Sequence, residues 1–88
     1  MKNKILIKVI VPELEESYDI FVPVNELVWK VKVLISKAIS DLNGGVLNIK
    51  DNYVLINKYT SQIYGNNEKI ISTDIRNATE LILINLKK

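Results

Sequence analysis

The beginning of the chain shows the two-residue period of β-structure. Residues 4–11 are mainly Ile and Val, and Lys4 and Lys8 mark one face of this segment as solvated. Residues 17–22 repeat the alternation and stop before Pro23, which has no N–H to donate to a ladder. The two segments predict a hairpin, and the side chains expected to face its core are Ile5, Ile7, Val9, Val11, Tyr18, Ile20 and Val22.

The middle of the chain has the period of an amphipathic helix. Asn25 is expected to cap this helix, and Glu26 lies in the first turn, where the helix dipole favours an acid. The helix is expected to run to Leu42 and to end at Asn43-Gly44-Gly45, because glycine readily adopts the left-handed C-cap conformation. The apolar arc that should face the core consists of Leu27, Val28, Val31, Leu34, Ile35, Ala38, Ile39 and Leu42.

The rest of the chain returns to strand-like segments. We predict strands at residues 53–59, 62–64 and 80–86, separated by turns that include residues 65–67 and 76–79. A lone helix can bury its apolar face only against a single sheet, so the order β-β-α-β-β-β predicts an α+β fold of the β-grasp type. We expect a mixed sheet of four to five strands packed on one helix, in a single domain over residues 1–88.

Composition excludes several kinds of chemistry. The sequence has 88 residues, no Cys and no His, so disulfides, thiolate metal sites and histidine general bases are ruled out. The formal net charge is +2, and eleven of the twelve cationic residues are Lys. Because Arg is the better bidentate ligand for phosphate, nucleic acid is not an expected partner.

The N-terminal segment lacks the features of a targeting signal. A basic start precedes the apolar run, but Lys8 interrupts that run and no small-residue cleavage site follows it. No apolar stretch approaches the roughly 18 residues needed to cross a bilayer. We therefore expect a cytoplasmic protein without membrane insertion.

The chain resembles ubiquitin-like proteins along nearly its whole length. Residues 75–83, Ile-Arg-Asn-Ala-Thr-Glu-Leu-Ile-Leu, resemble the I-x-(D/N)-G-(T/D)-x-L-x-L turn that enters the last strand of that fold, with Ala78 where Gly is usual. Residues 18–23, Tyr-Asp-Ile-Phe-Val-Pro, followed by a helix rich in Leu, Val and Lys, are most similar to the YukD/EsaB group. Those are small bacterial proteins encoded with type VII, or ESAT-6-like, secretion systems.

The resemblance also defines what a carrier of this fold would need. Conjugated modifiers and sulfur carriers have a flexible C-terminal Gly-Gly whose carboxylate is adenylated. This sequence ends Leu86-Lys87-Lys88, and Gly44-Gly45 is internal, where a helix C-cap is expected. The resemblance therefore implies a protein that is not conjugated.

Residues with catalytic or ligand-binding potential are scattered. Glu13, Glu15 and Glu16 form an acidic cluster without a partner base, and Ser36 and Ser40 lie one helical turn apart without an activating group. No glycine-rich phosphate loop occurs. We predict no catalytic, cofactor-binding or metal-binding residues, and no enzyme activity.

Surplus apolar residues predict two binding surfaces. Leu6, Ile10, Phe21, Ile82 and Ile84 should lie together on the sheet face opposite the helix, with Lys4 and Lys8 at the rim. Trp29 and Val33 should lie on the back of the helix, where either a partner or residues 43–52 of the chain would cover them. The sheet face has a similar alternative, in which it is a core extension beneath a loop.

Two functions of different class remain open. The first is a non-conjugated adaptor or regulator that acts by binding a protein partner, such as a secretion-system component, or a second copy in a homodimer. The second is a ubiquitin-like modifier or sulfur carrier with an atypical C-terminus. Neither requires a cofactor bound in the chain.

Overall fold

The computed structural model describes residues 3–44 and 53–86. The strands are β1 (Lys4–Val11), β2 (Glu16–Pro23), β3 (Tyr53–Asn57) and β4 (Glu80–Asn85), and the α-helix is α1 (Val28–Asn43). Single 3₁₀ turns occupy Pro12–Leu14, between β1 and β2, and Ile70–Ser72, between β3 and β4. Within the described ranges, no helix has the length and hydropathy needed to cross a bilayer.

The four strands form one mixed sheet in the order β2-β1-β4-β3. The two central strands, β1 and β4, are parallel, and both outer pairs are antiparallel. A mixed sheet packed on one helix was predicted from the sequence and is confirmed. The first and last strands are thus neighbours at the centre of the sheet, and because they are parallel, the beginning of β1 and the end of β4 lie at opposite ends of these strands.

The predicted strand at 62–64 does not form, because β3 ends early in a turn. The Asn57 side-chain oxygen accepts hydrogen bonds from the amides of Tyr59 and Thr60, at 2.8 and 3.1 Å, and Ser61 adopts a left-handed conformation with φ 64°. The returning chain makes only an isolated bridge between Ile63 and Ile56. The observed order is therefore β-β-α-β-β.

The helix begins two residues later than predicted, because its first residue is Val28 and not Glu26. The N-cap is Leu27, whose side chain caps nothing. The loop before β4 takes over this role, since the amides of Val28 and Trp29 donate to the carbonyls of Glu68 and Asn66, at 2.8 and 3.2 Å. A side-chain cap is unnecessary when tertiary contacts satisfy the first amides of a helix.

The end of α1 agrees with the sequence prediction. Gly44 is the C-cap with φ 78°, and its amide donates to the Ser40 carbonyl. Gly45 lies outside the described residues.

The core between α1 and the sheet contains the expected strand residues and a narrower helical arc. Val28, Val31, Ile35 and Ile39 are fully buried. Leu34 and Leu42 were also predicted to be buried, but they are 44% and 71% exposed. Leu34 points to the flank of the helix, and Leu42 lies in its last turn, beyond Ile39.

A lysine that the sequence did not place in the apolar arc is also buried. Lys32 is buried, and its Nζ donates a hydrogen bond of 2.8 Å to the Tyr53 carbonyl at the start of β3. A Lys side chain can bury its aliphatic stem when its ammonium reaches a polar partner. The contact joins α1 to an outer strand of the sheet.

Candidate protein-binding surface on the outer sheet face

The face of the sheet opposite α1 is the outer face. Strand alternation places on it Leu6, Lys8 and Ile10 from β1, Ser17, Asp19 and Phe21 from β2, Val54 and Ile56 from β3, and Glu80, Ile82 and Ile84 from β4. The apolar members are half-buried except for Phe21, which is 65% exposed. All five sheet-face residues predicted from the sequence therefore lie on this face.

A row of alternating charges crosses the outer face. Lys8 stands opposite Asp19 on one neighbouring strand and opposite Glu80 on the other. The Lys8 ammonium lies 3.4 Å from the Asp19 carboxylate. At the far side, the Lys58 ammonium lies 3.1 Å from the Glu80 carboxylate, and this contact raises the pKa of Lys58 above its ordinary value.

The charged row divides the five predicted residues into two groups. Leu6 pairs with Phe21 on one side, whereas Ile10 pairs with Ile82, followed by Ile84, on the other. The expectation of a continuous patch with Lys8 at its rim is therefore wrong. The reason is register: the parallel pairing of β1 with β4 brings Glu80 beside Lys8 and completes a polar row that composition alone does not reveal.

Two apolar residues of β3 extend the larger group. Val54 pairs with Ile84, and Ile56 pairs with Ile82. We call Ile10, Val54, Ile56, Ile82 and Ile84 the outer-face cluster. The alternation within residues 53–57 places these two β3 residues on one face of the strand. The strand order is also needed to show that this face adjoins Ile82 and Ile84.

An open depression of about 540 Å³ lies beside the outer-face cluster. Ile10 and Pro12 contribute apolar surface to it. Its charged border consists of Lys8, Lys58, Glu15, Glu16 and Glu80. Mixed charge around an apolar centre is the usual anatomy of a protein-binding surface.

The second predicted surface, on the back of α1, is also exposed. Trp29 and Val33 are 43% and 57% exposed. They line a groove of about 320 Å³ together with Pro23, Glu26, Lys30 and Leu34. Residues 43–52, the alternative cover predicted for Trp29, lie mostly outside the described residues.

Buried tyrosines tie the loops to the core. Burial and a hydrogen bond donated to Glu13 raise the pKa of Tyr53 to about 12. Burial and a hydrogen bond donated to Asp74 raise the pKa of Tyr64 to about 12, and Asn57 donates a further bond of 3.2 Å to the Tyr64 hydroxyl. Both hydroxyls are therefore held protonated as donors, which suits a structural role.

Within residues 3–44 and 53–86, no group of three or more acidic side chains is arranged to hold a metal ion. Glu13, the first member of the predicted acidic cluster, accepts from Tyr53. Glu15 and Glu16 instead line the depression on the outer face. The three acids of that cluster thus have different surroundings.

Comparison with known proteins identifies the fold but no family. No family model matches the chain, and no curated protein sequence does. Among solved structures, a ubiquitin-like domain of the 4931431F19Rik protein is 19% identical, with a TM-score of 0.70 over 98% of this chain and 78% of that one.

Two further structures give the same result. The C-terminal ubiquitin-like domain of human 2'-5'-oligoadenylate synthetase-like protein is 21% identical, with a TM-score of 0.69 over 100% of this chain and 90% of that one. A designed protein based on ubiquitin is 10% identical, with a TM-score of 0.71 over 100% of this chain and 95% of that one. The chain, with its mixed four-strand sheet packed on one helix, has the ubiquitin-like β-grasp fold.

Proposed function

We propose that this chain is a non-conjugated ubiquitin-like adaptor or regulator that acts by binding another protein through its outer sheet face. The observation that carries the proposal is the outer-face cluster, five apolar side chains from three adjacent strands beside a charged row. A surface of this kind binds by covering apolar area while its charges select the partner.

The energetics favour a protein partner over a small ligand. Covering apolar surface contributes about 25 cal/mol per Å², and a stable complex buries roughly 800 Å² on each partner. The cluster residues are half-buried and are spread over three strands. Only a partner with a broad, complementary surface can cover the exposed parts of all of them at once. The depression above Ile10 is open and bordered by charge, unlike the enclosed apolar pockets that hold small molecules.

The alternative, a modifier or sulfur carrier, has less support. The Gly-Gly pair that carrier chemistry would need at a tail is Gly44-Gly45, and Gly44 serves as the left-handed cap of α1. The internal pair thus has a structural explanation that requires no transfer chemistry.

We further propose that the partner belongs to a type VII secretion apparatus. This proposal rests on the similarity of residues 18–23 and of the following helix to the YukD/EsaB group. The gene neighbourhood tests it first, because genes for ESAT-6-like substrates and a membrane ATPase should lie beside this gene. Their absence there would count against the secretion role and would leave the binding role unaffected.

The direct test is a secretion assay in a strain lacking this gene and complemented with variants. We expect Ile82→Thr and Ile82→Asp to lower export of ESAT-6-like substrates, because Ile82 is central in the outer-face cluster. The matched control is Ile71→Asp, at an apolar residue that is 54% exposed outside the sheet. Full export by both Ile82 variants, at normal protein levels, would contradict a role for the outer face.

The carrier alternative has its own test. A ubiquitin-type activating enzyme with ATP should form no adenylate with this chain, measured as ATP–pyrophosphate exchange. Exchange that depends on the chain would favour the carrier and overturn the proposal.

A further inference from the structure

Strand β2 lies at the edge of the sheet, and half of its main-chain groups point away from β1. The hydrogen bonds of β1 show which groups these are. The main-chain groups of Leu6 and Lys8 point toward β4, since they form hydrogen bonds with Asn77, Ala78 and Thr79 in the turn before that strand. Ile5, Ile7 and Val9 therefore bond toward β2, where they stand opposite Val22, Ile20 and Tyr18.

The alternate residues of β2 are left with N–H and C=O groups directed outward. These residues are Ser17, Asp19 and Phe21, and no strand in the described ranges pairs with that edge. The opposite edge of the sheet differs, because residues 62–64 bond to Leu55 and Asn57 of β3. An open edge is a template for another extended segment.

Exposed apolar side chains are found on both sides of this edge. Phe21 lies on the outer face at the edge itself and is 65% exposed. On the α1 side, the groove of about 320 Å³ begins at Pro23, the last residue of β2, and continues past Leu34 and Val33. The two surfaces predicted separately from the sequence therefore adjoin the same strand.

We propose that the β2 edge binds an extended, basic and apolar peptide segment of a partner protein, which adds to the sheet as an antiparallel fifth strand. The segment bonds to the outward main chain of Ser17, Asp19 and Phe21. An antiparallel strand begins beside Pro23, so its first apolar residue enters the groove on α1. This surface is separate from the outer-face cluster and does not depend on the function proposed for that cluster.

Charge complementarity favours this occupant. The peptide residue opposite Asp19 meets a carboxylate whose side chain is 63% exposed, and Glu16 lies at the beginning of the same strand. A Lys or Arg opposite Asp19 is therefore favoured, as is an apolar residue opposite Phe21. Strand β1, which pairs with the other edge of β2, has the same pattern, with Lys8 opposite Asp19 and Leu6 opposite Phe21.

The same argument disfavours a second copy of this chain as the occupant. β2 contains Glu16 and Asp19 and no cationic residue. Pairing the β2 edges of two copies would bring the acidic side chains of both to one seam to which neither β2 strand contributes a cation. Charged edge strands of this kind protect a sheet from self-association.

The probe is the peptide acetyl-Ser-Val-Leu-Val-Lys-Val-Thr-Lys-amide, added to the ¹⁵N-labelled chain. Its Leu is designed to face Phe21 and its first Lys to face Asp19. We expect saturable shifts of the amides of Ser17, Asp19 and Phe21, with slowed hydrogen exchange at all three. A peptide with Glu in place of the first Lys should bind at least five-fold more weakly, and Asp19→Lys should reverse that preference.

Two controls separate strand addition from simple apolar contact. N-methylation of the peptide at Leu and at the first Lys keeps the side chains but removes main-chain donors, and should weaken binding at least ten-fold. Val33→Asp in the groove should weaken binding, whereas Leu42→Asp, at the exposed end of α1, should not. Ile82→Thr should leave peptide affinity unchanged.

Several results would overturn the proposal. They are the absence of shifts at the three β2 amides with 1 mM peptide, equal affinity for the Lys and Glu peptides, and insensitivity to N-methylation. Shifts confined to the outer-face cluster would assign the peptide to the other surface. A dimer in sedimentation that Asp19→Lys disrupts would assign the edge to a second copy.

Discussion

The side-chain oxygen of Asn77 accepts a hydrogen bond from the main-chain amide of Leu6, at 2.8 Å. The next residue, Ala78, donates its own amide to the Leu6 carbonyl at 2.7 Å. The turn before β4 is thus fixed to β1 before the parallel ladder begins at Lys8. This contact sets the register that aligns Lys8 with Glu80.

Ala78→Gly should stabilise the protein. Ala78 has φ 74°, a left-handed conformation that costs a residue with a Cβ roughly 1–2 kcal/mol and costs Gly far less. Allowing for the greater freedom of Gly in the unfolded chain, we expect a gain of about 0.5–1 kcal/mol in the free energy of unfolding. Urea denaturation measures it.

A control at the neighbouring position distinguishes strain from general loosening. Thr79→Gly changes a residue without the left-handed conformation and removes a hydroxyl that accepts from the Arg76 amide at 2.8 Å. It should destabilise the protein. Equal effects of the two substitutions would rule out strain at Ala78 as the cause.

Ile35→Ala should destabilise the protein strongly. Ile35 is fully buried at the centre of the helical arc, and truncation of a buried Ile costs about 2–4 kcal/mol through lost burial and a cavity. Val31→Ala should cost about 2 kcal/mol for the same reason. Leu34→Ala, one position along the helix and 44% exposed, should cost less than about 1 kcal/mol. Thermal and urea denaturation measure the difference, and similar costs at positions 34 and 35 would contradict the observed helix phase.

The same helix shows what the sequence could and could not predict. The sequence located the body of α1 and its buried residues Val31 and Ile35 by their period, and its C-cap by the glycine that is Gly44. It could not predict that the carbonyls of Asn66 and Glu68 would satisfy the first amides, because that contact joins segments about 40 residues apart.

The outer face illustrates the same limit. Alternation placed Leu6, Ile10, Phe21, Ile82 and Ile84 on the correct side of their strands. Their grouping depends on register, which turn contacts such as Asn77 to Leu6 determine. The sequence therefore predicted the members of the surface but not the charged row that divides it.

Alkaline pH should destabilise the protein over a defined range. The pKa values of Tyr53 and Tyr64 are raised from 10.0 to about 12 in the folded state. The folded state thus retains these two protons more strongly than the unfolded state does. Their stabilising contribution is complete below pH 10 and is lost as the pH rises from 10 through 12.

Tyrosinate absorbance and urea denaturation measure this effect together. Tyr53→Phe and Tyr64→Phe should each remove one high-pH ionisation and make the stability less dependent on pH between 10 and 12. Each substitution should also lower stability at pH 7, because Glu13 or Asp74 loses its hydroxyl donor. An unchanged alkaline slope in the double variant would show that other groups control unfolding at high pH.

Phe21→Ala and Ile82→Asp should affect binding independently. The charged row through Lys8 separates the two residues on the outer face. Phe21→Ala should weaken binding of the basic peptide at the β2 edge and leave the partner of the outer-face cluster nearly unaffected. Ile82→Asp should weaken binding of the partner of the outer-face cluster and leave binding of the basic peptide nearly unaffected. The melting midpoint of Phe21→Ala should stay within a few degrees of the parent, because the Phe21 side chain is largely exposed.

Trp29→Ala should have the same effect on binding as Phe21→Ala, since Trp29 lines the groove that begins at Pro23. If each of the three substitutions weakened both interactions equally, the two surfaces would form one site, and the charged row would be part of its interface instead of a boundary.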